Sequence, residues 1–132
     1  MYKKENDMKQ RTVYLITAGL SLLFALGLLL MPSVMLGLFD MNDTEQAAVL
    51  GQLISVELVV GGAIMFLLRD TTDPKARNAI HFANIAAGAL GVIVSVNGTL
   101  TGAFGWFGWV MVVVYLLLAA AFAYLQFFAW GE

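Results

Sequence analysis

The sequence predicts an all-α fold: a polytopic membrane protein whose four transmembrane helices form an antiparallel bundle, with N- and C-termini cytoplasmic. Three observations lead there. Of 132 residues, 61% are hydrophobic and 12% charged, against about 45–50% and about 25% in an average soluble domain, and the mean hydropathy is +0.84. The charges cluster between apolar stretches of spanning length. All seven Lys and Arg fall on one side of a chain threaded four times through a bilayer. This composition excludes a water-soluble enzyme domain, a disordered chain and a nucleic-acid-binding module. The absence of Cys excludes disulfides, thiolate zinc sites and iron–sulfur clusters.

A helix needs about 20 apolar residues to cross a hydrocarbon core of about 30 Å. After Arg11 no charge appears until Asp40, a gap of 28 residues. It holds a first span at 13–35, behind a cytoplasmic N-terminal segment, 1–12. Pro32 kinks or ends that helix and leaves 33–39 as a tail or a short interfacial helix. Between Glu45 and Arg69 the only charge is Glu57, which gives a second span at 46–68. Asp43, with Gln46 three residues on, has capping-box character at its start. From Asn78 to Gly131 no charge appears across 54 residues, room for two helices. The turn-forming run Asn97-Gly98-Thr99-Leu100-Thr101-Gly102 divides them, giving spans at 74–96 and 103–130. Asp73 followed by Pro74 is an N-cap with proline at the first helical position. The chain reads as one four-helix domain, 1–132.

Orientation follows from the basic residues. Lys3, Lys4, Lys9 and Arg11 precede the first span, and Arg69, Lys75 and Arg77 lie between the second and third. That side is cytoplasmic, and a bacterial inner membrane is the expected location. The first apolar stretch is longer than the 7–15 residues of a signal-peptide core and lacks a small-x-small cleavage site. Trp109 and Trp130 are 21 residues apart, about 31 Å of helix rise. They place an aromatic at each interface, with Trp106 in the outer girdle and Tyr14 in the inner one.

Helices in lipid associate through small residues and interhelical hydrogen bonds. The third span carries a small-xxx-small ladder, Ala79, Ala83, Ala87, Gly91 and Ser95, beside a polar stripe of His81, Asn84, Gly88, Gly91 and Ser95. Both are expected to pack against protein. The second span offers Gly51, Ser55, Gly61 and Gly62, and the first Thr17, Ser21 and Gly27.

One residue resists a packing explanation. Glu57 is the twelfth of the 23 residues of the second span, and a charge at that depth costs about 2.5–3.5 kcal/mol on insertion scales. Counting rise from the helix ends levels it with Ser21 and Tyr115, with Gly88 leaving space opposite. His81 and Asn84 lie roughly 12 and 8 Å closer to the cytoplasm. The expected ligand- or proton-binding constellation is Glu57, Tyr115 and Ser21, with Asn84 and His81 as an inner branch.

The motif MPSVMLGLF after the first span, with a glycine-rich second span ending in Arg69, resembles small uncharacterised bacterial four-helix membrane proteins. That resemblance implies the fold and brings no activity. In size, span count and cytoplasmic termini the chain is similar to small multidrug resistance exporters. Those carry their membrane Glu in the first helix, whereas here it stands in the second.

No enzyme activity, metal site or cofactor is expected. One Glu with one distant His falls short of a catalytic metal cluster, no Lys lies within a span to hold retinal, and with a single His one chain cannot ligate haem from both faces, although a symmetric dimer could. Two functions remain. One is a proton- or cation-coupled small-solute transporter or hydrophobic-ligand binder that uses Glu57. The other is an accessory subunit packed against a larger complex, with Glu57 as interhelical glue. The expected partners are the lipid bilayer and either a second copy or a larger membrane complex, with no nucleic acid.

Overall fold

The computed structural model describes residues 2–129, and side chains from residue 3. Five α-helices follow one another among these residues: α1 (Tyr2–Leu30), α2 (Pro32–Leu38), α3 (Glu45–Leu67), α4 (Pro74–Leu100) and α5 (Phe107–Tyr124). A five-residue π-helical turn, Leu125–Ala129, extends α5. Four of the helical segments are long and apolar enough to cross a membrane.

The helix boundaries follow local chemistry. Pro32 ends α1 and opens α2, with Met31 left outside the helical region at φ −136°. A proline ring fits a first helical turn and not a helix interior. Thr44, not Asp43, caps α3: its hydroxyl accepts from the Ala47 backbone N–H at 3.1 Å. Asp73 caps α4, accepting from the backbone N–H groups of Lys75 and Ala76 at 3.2 and 3.3 Å. Asp73→Ala is therefore expected to lower stability by about 1 kcal/mol, read as a lower thermal midpoint in mild detergent.

Two boundaries differ from expectation. Residues 3–12 are not a separate segment but the first turns of α1, where the buried amides Asn6 and Gln10 find partners on the π-helical turn and in the α3–α4 loop. The break expected at 97–102 comes later, since α4 runs on to Leu100. Thr99 and Thr101 return their hydroxyls to the carbonyls of Ser95 and Asn97 at 2.7 and 2.8 Å, so turn-forming residues are held in helix. The reversal falls at Gly102, whose φ of +78° suits glycine.

Packing divides the four long helices into two pairs. α1 lies along α3, and α4 lies along α5, while α3 and α4 scarcely meet although consecutive in sequence. Small residues set both seams. Gly51, Ser55 and Gly62 are the buried positions of α3 besides Met65. Gly88 and Gly91 seat Ala119 and the Tyr115 ring of α5.

The pairs join at two places. At the N-terminal end, Tyr14 and Ala18 of α1, Met65 of α3, Ile80 of α4, and Phe122 and Leu125 form one buried cluster. At the far end, Phe39 packs on Phe104 and Phe107 with ring centroids 5.3 and 5.0 Å apart, and Gly105 N–H donates to the Phe39 carbonyl at 3.1 Å. Between these joints the pairs part. Tyr14 is thus a fully buried core residue, not an aromatic of an inner girdle. Trp106 and Trp109 are exposed near the start of α5, and Trp130 lies outside the described residues.

Candidate functional site

The gap between the pairs is a cleft of about 320 Å³, lined by Thr17 and Ser21 of α1, Gly61, Ile64 and Met65 of α3, and Ala79, Ile80, Ala83 and Asn84 of α4. Its rim, Gly61, Ile64, Ala79 and Ala83, is exposed, so the cleft opens sideways between α3 and α4. Most of the wall is apolar. The polar exceptions are distinct in what they offer. Thr17 gives its hydroxyl proton to the Val13 carbonyl at 2.8 Å and keeps an acceptor. Asn84 gives an amide proton to the Ile80 carbonyl at 2.9 Å, leaving its carbonyl oxygen as an acceptor. Ser21 stands beside them in the lining.

At the N-terminal end the cleft abuts a buried polar seam. Asn6, Gln10, Tyr14 and Thr17 are all buried on α1. Their spacing of four, four and three residues places them on one face of the helix. Asn6 donates to the Ala129 carbonyl at 2.8 Å, and Gln10 to the Thr71 carbonyl at 3.0 Å. Across the seam lies His81, also fully buried.

The His81 ring stands edge-on to Tyr14 at 5.8 Å between centroids, and Phe122 lies 5.9 Å from Tyr14. Its Nδ1 meets the Gln126 side-chain oxygen at 2.9 Å. A carbonyl oxygen only accepts, so in the neutral ring the proton sits on Nδ1 and Nε2 is an acceptor. Gln126 in turn donates to Asn78 Oδ1 at 3.3 Å. The π-helical turn carries Gln126, and its wider winding is a feature often found at functional sites. Three buried atoms of the seam have no hydrogen-bond partner among the described residues, Gln10 Oε1, Tyr14 Oη and His81 Nε2. The tyrosine hydroxyl can donate and the other two accept.

The residues singled out from sequence separate into three places. Ser21 and Asn84 line the cleft, and His81 lies in the seam beside it. Tyr115 packs on Gly91 within the α4–α5 pair. Glu57 sits on the outward face of α3, exposed, with no hydrogen bond or ion pair among the described residues. The expected Glu57–Tyr115–Ser21 grouping therefore does not form within the chain, because Glu57 lies nearly opposite the Gly51–Ser55–Gly62 face that meets α1.

Of the packing residues, Gly88 and Gly91 lie in the α4–α5 seam, and Ser95 is buried. Ala83 and Ala87 are both exposed, Ala83 at the rim of the cleft, and neither lies in the α4–α5 seam.

Sequence reasoning missed Asn6, Gln10, Tyr14 and Gln126. The helical spacing of Asn6, Gln10 and Tyr14 on α1 was the available signal, hidden by the Lys and Arg interleaved with them. Comparison of the chain with protein-family models, with curated proteins and with solved structures gives no match in any of the three.

Proposed function

We propose that this chain is a small multi-pass protein of a bacterial inner membrane, with both termini cytoplasmic, that binds an uncharged amphipathic molecule in the cleft between its helix pairs. The observation that carries this reading is the cleft itself. About 320 Å³ of space with a largely apolar wall and few polar groups matches the general form of small-molecule sites. No charged side chain lines it. A ligand with an apolar body and a neutral hydroxyl or amide donor satisfies the acceptors of Thr17 and Asn84 while its body lies along Ile64, Met65 and Ile80. The lateral opening between α3 and α4 gives such a molecule a route from the bilayer. The basic residues at the N-terminus and in the α3–α4 loop support the orientation.

A diazirine-bearing monoacylglycerol in lipid nanodiscs tests this. On irradiation, adducts are expected on residues 17–21, 61–65 and 79–84. Ala83→Trp fills the opening and is expected to reduce those adducts at least about fivefold, leaving labelling elsewhere unchanged. Uniform labelling of every lipid-facing helix, insensitive to Ala83→Trp, would refute the site.

A second reading, that the protein works as a subunit of a larger membrane assembly, is favoured by one observation, the outward position of Glu57.

A further inference from the structure

Glu57 is the thirteenth of the 23 residues of α3, about 18 Å from one helix end and about 15 Å from the other. Its neighbours on the same face, away from the cleft, are Leu50, Leu53, Val60 and Leu67, between 49% and 73% exposed. Lipid accepts those side chains readily. It does not accept a carboxyl group, which in hydrocarbon needs a hydrogen-bonding partner. Neither helix pair supplies one, and all seven Lys and Arg lie outside the apolar stretches.

We propose that the partner is Glu57 of a second copy, in a symmetric dimer in which two α3 helices meet along this face. The inference rests on the membrane-spanning reading. Copies inserted in the same orientation are related by a two-fold axis along the membrane normal, which brings every residue to the same depth as its counterpart. A protonated carboxylic acid is self-complementary: its O–H donates and its carbonyl oxygen accepts. It therefore pairs with its own image without any basic group.

The 3-4-3 spacing of Leu50, Leu53, Glu57 and Val60 is that of a coiled-coil seam, in which one polar position fixes register. The heterologous alternative, a different protein bearing a basic or amide side chain at this depth, makes a different prediction, because cross-links then join unlike chains.

The chain has no cysteine, so single-cysteine variants report cleanly. In native membranes treated with an oxidant, Leu53→Cys and Val60→Cys are expected to form disulfide-linked homodimers. Val59→Cys and Leu90→Cys, exposed on other faces, are not. In the Leu53→Cys background, Glu57→Ala is expected to weaken dimerisation at least about threefold, the effect of losing even one of the pair's two interhelical hydrogen bonds in lipid. Glu57→Gln, whose amide also donates and accepts, is expected to retain the dimer.

Equal cross-linking at all four positions, cross-links only to another protein, or a dimer indifferent to Glu57→Ala would overturn the proposal. Resistance of the chain to alkaline extraction, scored in the same membranes, separates these outcomes from failure of the membrane reading: a chain that washes off the membrane refutes that reading instead.

Discussion

Gly91→Ala is expected to destabilise the fold although alanine is the better helix former. A Cβ at this position would run into the Tyr115 ring near its root, where the ring cannot swing aside without moving α5. Overpacking of this kind costs about 1–3 kcal/mol, a large part of the stability of a small domain. Gly61→Ala is the matched control, because nothing lies within 4 Å of a Cβ built there. In that position the same substitution is expected to stabilise by about 0.5–1 kcal/mol through helix propensity alone. The opposite signs are read as opposite shifts of the thermal midpoint in mild detergent. A Gly91→Ala protein as stable as wild type would mean that α4 and α5 are not in contact at this point.

Tyr14 separates packing from hydrogen bonding. Its ring is fully buried against His81 and Phe122, so Tyr14→Ala removes the centre of the joint between the helix pairs and is expected to cost about 3–5 kcal/mol. Its hydroxyl has no partner among the described residues. A buried hydroxyl without a bond is a liability, and Tyr14→Phe is expected to keep wild-type stability or gain about 1 kcal/mol. Retention of a buried, partnerless hydroxyl beside the His81 ring is the kind of stability sacrifice that accompanies binding sites. A loss of stability in Tyr14→Phe would show that the hydroxyl is bonded.

The number and order of the long helices were legible because a long uncharged stretch leaves few other structures open to the backbone. Pro32 and the Asp73-Pro74 pair marked their boundaries by local stereochemistry, which packing does not override. The direction in which each helix faces was much less legible. α3 is apolar around its whole circumference, so hydrophobicity distinguishes no face of it: lipid and protein core look alike to a leucine. Only Gly51, Ser55 and Gly62 mark its inner side, and they place Glu57 outside. Depth counting levelled Glu57 with Ser21 and Tyr115, but depth says nothing of azimuth, and the three residues point to three different environments.

The α1 seam was obscured for another reason. Asn6 and Gln10 share a segment with Lys3, Lys4, Lys9 and Arg11, and the charges made the whole segment read as a solvated tail. In the structure the charged side chains face outward while the amides face inward, and one helical turn contains both.

The separation of the two helix pairs is the claim on which the cleft depends, and two serines of the same pair test it. Ser21 lines the cleft, whereas Ser55 is 1% exposed between α1 and α3. Cysteine is nearly isosteric with serine, so Ser21→Cys and Ser55→Cys each introduce a single thiol with little change in packing. Their rates of reaction with a membrane-permeant organomercurial, measured side by side in native membranes, report whether the space beside each residue is open. The expected result is rapid modification of Ser21→Cys and protection of Ser55→Cys. Equal protection of both thiols would mean that the four helices close into one filled bundle, and the cleft between the pairs would not exist.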